Sequence, residues 1–366
     1  LSIHKIVLTG GPCGGKSTGL SKIEQELTER GYKVFVVPET ATELMTGGIK
    51  PSEMTPLDFQ GILFELQGKK EELYYRAAQL FDETDKVVIF YDRGRMDGKT
   101  YMPEKDFKKM LKNNNTNETE VRDYYDCILH LMTAAEGAEK FYTLENNKAR
   151  FETLEEARIV DKKIIKAWTG HPHLRIIDNS TNFEQKINRL MVEIYSFLGE
   201  PVPMEIERKY LIEMPNLEEL QEKYSCTKQN IIQTYLKSDD KNTEVRIRQK
   251  GINGEYSYYL TKKQEVSEVS RIETEKKISK DEYLRLLMDS DTSLKQIRKD
   301  RICFVYSNNY FELDIYPFWE DKAILEIELS RENQEIDFPP EIKIIKEVTE
   351  DKDYKNYSLA KGVKNI

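Results

Sequence analysis

Lys5-Ile6-Val7-Leu8-Thr9-Gly10-Gly11-Pro12-Cys13-Gly14-Gly15-Lys16-Ser17 passes from a β-rich apolar run through a glycine turn to a lysine. An amphipathic segment from Lys16 to Arg30 follows and stops at Gly31, which predicts strand, turn and helix in that order. Gly10 to Ser17 fits G-x-x-x-x-G-K-[ST] in the setting that this spacing requires. Gly10, Gly11, Gly14 and Gly15 let backbone N–H groups converge on phosphate oxygens, and the helix start adds positive potential. Lys16 reaches the outer phosphates and Ser17 can hold Mg²⁺, with Thr18 beside it as a further nucleotide contact. Cys13 reads as a packing residue rather than a reactive thiol. Outward from this loop, the β-rich runs Lys33–Val37, Val87–Tyr91, Cys127–Met132 and Arg175–Ile177 alternate with helical stretches. That rhythm predicts a three-layer α/β/α domain on a parallel sheet over residues 1–200. Lys112–Glu120, rich in Asn, reads as an exposed loop, and Gly199-Glu200-Pro201-Val202-Pro203 marks the domain boundary.

Other residues gather near this nucleotide reading. Asp92-Arg93-Gly94 follows an apolar strand, where the carboxylate can orient Mg²⁺ or a hydroxyl and Arg93 can face phosphate. Arg150 and Arg158 either clamp the transferring phosphate as a lid or are solvated helix arginines. Asn179, in Asp178-Asn179-Ser180, either contacts the base, with Phe183 stacking on it, or caps the next helix. Together these features resemble P-loop kinases of the nucleoside and nucleotide type, in which Glu39 would occupy the place of a base.

Beyond residue 203 the pattern changes to strands with alternating charge: Glu205, Glu207 and Lys209; Arg246 and Arg248; Lys262; Arg271, Glu273 and Glu275; Lys299 and Arg301; Glu312 and Asp314; Glu326 and Glu328. Val245, Ile247, Ile272, Leu313, Ile315, Leu325, Ile327 and Leu329 form the opposite faces. Basic and acidic pairs sorted onto different strands suit a closed β-barrel with a polar lumen that holds oligophosphate and metal. In order and residue type the set resembles the CYTH, or triphosphate tunnel metalloenzyme, superfamily over roughly 203–360. The resemblance implies an antiparallel eight-stranded β-barrel with flanking helices, in a domain of residues 203–366. It also implies phosphate binding by Lys209, Arg246, Arg248, Lys262, Arg271, Lys299 and Arg301, and Mg²⁺ or Mn²⁺ held by Glu205, Glu207, Asp314, Glu326 and Glu328. Glu205, Glu207 and Lys209 would serve catalysis there, as Asp92 would in the first domain. The whole chain resembles a two-domain family joining a NadR-like P-loop NTPase to a CYTH domain, which includes the TRPL translocation defect proteins. For that family GTP binding and phospholipid-headgroup binding are implied.

The 366 residues carry 56 Lys+Arg against 65 Asp+Glu, a net charge of -9. Residues 1–200 hold 28 basic and 32 acidic groups, so neither half is a basic module and no strong nucleic-acid signal exists. No apolar run reaches a membrane span and the start shows no signal-peptide pattern, which predicts a cytoplasmic protein, or one peripheral to a membrane. Four separated cysteines and four histidines suggest neither a disulfide framework nor zinc. Three functions compete. The chain is a phosphoanhydride hydrolase using ATP or GTP and an inorganic or organic triphosphate, a GTP-dependent switch binding an anionic phospholipid headgroup, or a small-molecule kinase.

Overall fold

The strands expected around the phosphate loop form one parallel sheet in the order β2-β3-β1-β4-β5. These are β1 (Ser2–Gly10), β2 (Tyr32–Val37), β3 (Lys86–Asp92), β4 (Cys127–Leu131) and β5 (Leu174–Ile177). Between and after them run α1 (Lys16–Glu29), α2 (Thr40–Thr46), α3 (Pro56–Ala78), α4 (Glu104–Asn113), α5 (Glu118–Arg122), α6 (Leu154–Trp168) and α7 (Phe183–Leu198). Val87–Tyr91 and all of β4 are buried, as expected of central strands covered by helices on both faces. Ile6, Leu8, Phe90, Leu129 and Leu131 pack on Leu20, Ile23 and Leu27 of α1 and on Ile187, Leu190 and Ile194 of α7. On the other face, Trp168 of α6 and Val7 close around Gly94, where a Cβ would stand 2.5 Å from the indole.

The computed structural model describes residues 2–82, 85–142, 153–200, 206–238, 243–267, 270–329 and 334–362, with backbone alone at 206, 264–267 and 270–274. Its contacts divide the chain into Leu1–Val202 and Pro203–Ile366. The expected loop at Lys112–Glu120 instead holds the end of α4 and the start of α5. Asn117 caps α5 by accepting from Glu120 N–H at 2.9 Å, which is how an Asn-rich segment can start a helix as readily as a turn.

Among the described residues of the second unit, nine antiparallel strands run in the order β10-β9-β8-β7-β11-β12-β13-β6-β14, against the eight expected. They are β6 (Ile206–Glu213), β7 (Thr227–Leu236), β8 (Thr243–Ile252), β9 (Glu255–Ser267), β10 (Ser270–Ile278), β11 (Ile297–Tyr306), β12 (Asn309–Ile315), β13 (Lys322–Leu329) and β14 (Ile344–Glu347). The helices are α8 (Leu217–Lys223), α9 (Lys280–Leu286) and α10 (Asn356–Ala360). The apolar faces pack outward: Tyr210, Phe304, Phe311, Leu313 and Leu325 meet Leu220 of α8, while Val245, Ile247, Tyr258 and Leu260 meet Tyr283 and Leu286 of α9. The sheet curls: Leu211 of β6 and Tyr235 of β7, which a flat sheet would set about 19 Å apart, join one packed cluster on the inner face. At one end the inner face turns apolar, where Leu211, Tyr235, Ile297, Tyr316 and Ile324 pack with Val348, Tyr354, Leu359 and Ala360.

Candidate functional site

The phosphate loop is built by exclusion of side chains. A Cβ on Gly10 or Gly14 would stand 2.0 or 2.6 Å from the Leu131 carbonyl oxygen, and Gly15, the residue before α1, has φ 94°. Lys16 follows at the first helical position, with no carboxylate within ion-pair distance among the described residues. Burial and then Arg93 lower its pKa, against Asp92, Glu39 and Asp97, so four charged side chains from other segments share its field. Glu39 receives Arg93 Nε at 2.6 Å and the Thr42 hydroxyl at 2.6 Å. Burial would raise the Glu39 pKa, but Arg93 and Lys16 outweigh it and bring it to about 2. Asp92, at the end of β3, keeps Oδ1 buried without a hydrogen-bond partner, and burial raises its pKa. Ser17 is exposed on the first turn of α1. An orphaned carboxylate oxygen and a hydroxyl at a phosphate loop suit Mg²⁺, which takes few protein ligands besides phosphate and water.

Arg93 is held at φ 74° and also reaches Asp97 at 3.4 Å. Asp97 in turn accepts from Thr9 Oγ1 at 2.7 Å and Trp168 Nε1 at 2.6 Å, so the arginine is mounted on a buried anchor. Arg158, on α6, donates to Ala135 O at 2.7 Å and Glu139 at 3.1 Å, which ties it to the segment between β4 and α6. Arg150 lies outside the described residues. Asn179 does not cap the next helix; its side chain ties three neighbouring groups together. Its amide N–H groups donate to Thr133 O and Glu136 O, each at 2.7 Å, and its oxygen accepts from Lys186 at 2.7 Å. Asn182 caps α7 instead, and Phe183, 47% exposed, lays its ring edge over Gly15. Asp161 escaped the sequence reading, although its Oδ1 accepts the Gly11 N–H at 2.7 Å.

Cross-strand register in the second unit puts Glu207 opposite Glu328, Lys209 opposite Glu326, Arg301 opposite Asp314, Arg248 opposite Gln233 and Arg246 opposite Thr261. All lie on the inner face. Lys209 lies 3.1 Å from Glu207 and 2.7 Å from Glu326. Arg301 donates to both oxygens of Asp314 at 2.6 and 2.7 Å, to Glu326 at 2.7 Å and to Glu312, which leaves at most one guanidinium N–H for a ligand. Lys299 also binds Asp314, and Arg248 binds Glu275. Burial raises the Glu207 pKa despite Lys209, and Glu326 raises it further.

One expectation changes here. Lys262 is exposed and opposite Val245, on the outer face, and Lys263, opposite Glu244, takes the inner one. Asp314 and Glu326 accept from Arg301, Lys299 and Lys209, so a metal there would share their oxygens with the basic groups. Glu205 lies outside the described residues, and Arg271 is placed by backbone alone, opposite Glu265 in the register of β9 and β10. Among the described residues no group of three or more His, Cys, Asp or Glu is arranged for a metal. The directly opposed Glu207 and Glu328 nevertheless fit a hard divalent cation, because like carboxylates at that spacing repel until a cation lies between them.

Residues 5–186 match the AAA domain family and residues 203–358 the CYTH domain family. Among solved structures, the inorganic triphosphatase NE1496 is 28% identical over 44% of this chain and 96% of its own, with a TM-score of 0.31. The PH1819 protein from Pyrococcus horikoshii is 24% identical over 36% of this chain and 80% of its own, with a TM-score of 0.29. Deoxyadenosine kinase from M. mycoides, with bound dATP, is 17% identical over 52% of this chain and 98% of its own, with a TM-score of 0.34. No curated protein matches. Among the described residues no helix is long and apolar enough to cross a membrane. A glycine-walled phosphate loop on a parallel sheet, followed by a curled antiparallel sheet with a charged inner face, agrees with both family matches, and the chain is an AAA domain joined to a CYTH domain.

Proposed function

We propose that the first domain binds Mg²⁺-ATP or Mg²⁺-GTP at Lys16 and Ser17, and that the second takes up a triphosphate with Mg²⁺ or Mn²⁺ and hydrolyses a phosphoanhydride. The observation that carries the second half is the opposed Glu207–Glu328 pair, with Lys209 of the same strand 3.1 Å from Glu207. Lys209, Arg246, Arg248, Lys263 and Arg271 would bind the phosphate oxygens, while Asp314 and Glu326 hold Lys299 and Arg301 in place behind them. A divalent ion on Glu207, Glu328 and Glu205 would supply charge neutralisation and a polarised water. The water oxygen bonds to the terminal phosphorus, the bridging P–O bond breaks, and phosphate, the shortened phosphate chain and a proton leave. The unpartnered Asp92 Oδ1 favours a second reading of the first domain, as a base for the hydroxyl of a kinase acceptor.

Phosphate release from inorganic triphosphate, ATP and GTP tests the reading. Metal-dependent release from triphosphate should survive Lys16→Ala and fall about a thousandfold in Glu207→Gln. Loss in Lys16→Ala alone would place hydrolysis at the phosphate loop, and ADP formation without phosphate release would mark transfer to an acceptor. If no substrate turns over, flotation with phosphoinositide liposomes in the presence of GTP would favour the binding switch.

A further inference from the structure

Behind the phosphate loop stands a carboxylate that nucleotide chemistry does not use. Asp161 on α6 is 1% exposed, and its Oδ1 accepts from Gly11 N–H at 2.7 Å and Thr133 N–H at 3.2 Å, with His130 Nε2 at 3.1 Å. His130 is wholly buried and its Nδ1 has no partner, so a proton on Nε2 leaves no orphaned N–H; we assign that tautomer on this ground. Burial alone would raise the Asp161 pKa, but His130, Gly11 and Thr133 hold it below the ordinary value.

The fit is close. A Cβ on Gly11 would stand 2.5 Å from Asp161 Oδ1 and 3.0 Å from Thr133 Cβ. Thr133 also donates its hydroxyl to Pro12 O at 2.6 Å, and Arg158, three residues before Asp161, donates to Ala135 O at 2.7 Å. One face of α6 thus holds the loop and the segment beside it at three points. A Gly11 N–H fixed from behind is not free to swing, and its neighbours in the loop inherit that restraint.

We propose that Asp161 is a positioning residue of the phosphate loop, holding Gly11 and Thr133 in the phosphate-binding shape before a nucleotide arrives and fastening that shape to the helix of Arg158. The inference rests on nucleotide binding at Lys16. It assigns the work to acceptor geometry, so a side chain of the same shape that keeps an acceptor oxygen should suffice.

Titration with fluorescent Mg²⁺-ATP and Mg²⁺-GTP analogues, corrected to the folded fraction, tests it in the full chain. Asp161→Asn should stay within about threefold of wild-type affinity, whereas Asp161→Leu, which strands the buried N–H groups of Gly11, Thr133 and His130, should weaken binding by about tenfold or more. A folded Asp161→Leu protein that binds as wild type does would overturn the inference and leave nucleotide binding intact. Wild type that binds neither analogue would remove the nucleotide reading and this inference with it. Should Asp161→Leu not fold, amide exchange at Gly11 in nucleotide-free wild type decides. Protection that persists in Asp161→Asn supports the role, and exchange at the unprotected rate overturns it.

Discussion

The phosphate loop and the curled sheet both gather groups that attract phosphate, yet they prepare for it in opposite ways. In the loop the attraction comes from backbone N–H groups around glycines and from Lys16, which has no described carboxylate at ion-pair distance. In the sheet nearly every described cation already holds a carboxylate: Lys209 holds two, Arg301 three, and Arg248 has Glu275. The loop can receive an anion directly. On the proposed reading the sheet would exchange one set of charges for another, and a metal arriving with the anion would give the carboxylates released from lysine and arginine a new cation.

Asp314→Asn gives the sharpest separation between the two. It leaves Lys299 and Arg301 buried beside a neutral amide, and the second unit should lose about 3–5 kcal/mol, read as a lower urea midpoint while nucleotide binding is unchanged. An unshifted midpoint would mean that the ion network does not hold the sheet together. Ligand-linked stability comes next. At about a hundredfold excess over Kd, Mg²⁺-nucleotide should stabilise the first unit by about 2.7 kcal/mol, an effect absent in Lys16→Ala. Inorganic triphosphate without metal should leave the second unit's melting unmoved, and a rise there would contradict the exchange picture. The smallest effect concerns acid. The Glu39 pKa is depressed to about 2, so the stability it contributes is present above its ordinary value near 4.5 and is lost as pH falls toward 2. Discounted for its partial exposure, this amounts to about 2 kcal/mol, and Glu39→Gln should flatten the first unit's stability across that window.

The loop was legible because its demands are local: close approach of a neighbouring carbonyl admits only glycine, and glycine is visible in a sequence. The sheet was legible where charge alternates with aliphatic residues, as in Arg246-Ile247-Arg248 and Glu326-Ile327-Glu328. Where Lys262 and Lys263 adjoin, alternation cannot say which points inward. Packing of Tyr258 and Leu260 against α9 decides it, from residues outside the strand. β7 was missed because Gln229, Asn230 and Gln233 interrupt its apolar pattern, yet it lies in the middle of the sheet with Gln229 and Gln233 buried. Asp161 and Asn179 look like ordinary helix and turn residues. Their partners are distant in sequence, and only the assembled sheet brings Gly11 and Asp161 together across 150 residues.

The apolar packing of Leu211, Tyr235, Tyr316 and Ile324 against Val348, Tyr354 and Leu359 fills one end of the described inner face with side chains that offer a phosphate no partner. On the proposed reading, a phosphate chain would find its ligands only toward the charged end. Product and incoming substrate would then compete for the same lysines and arginines.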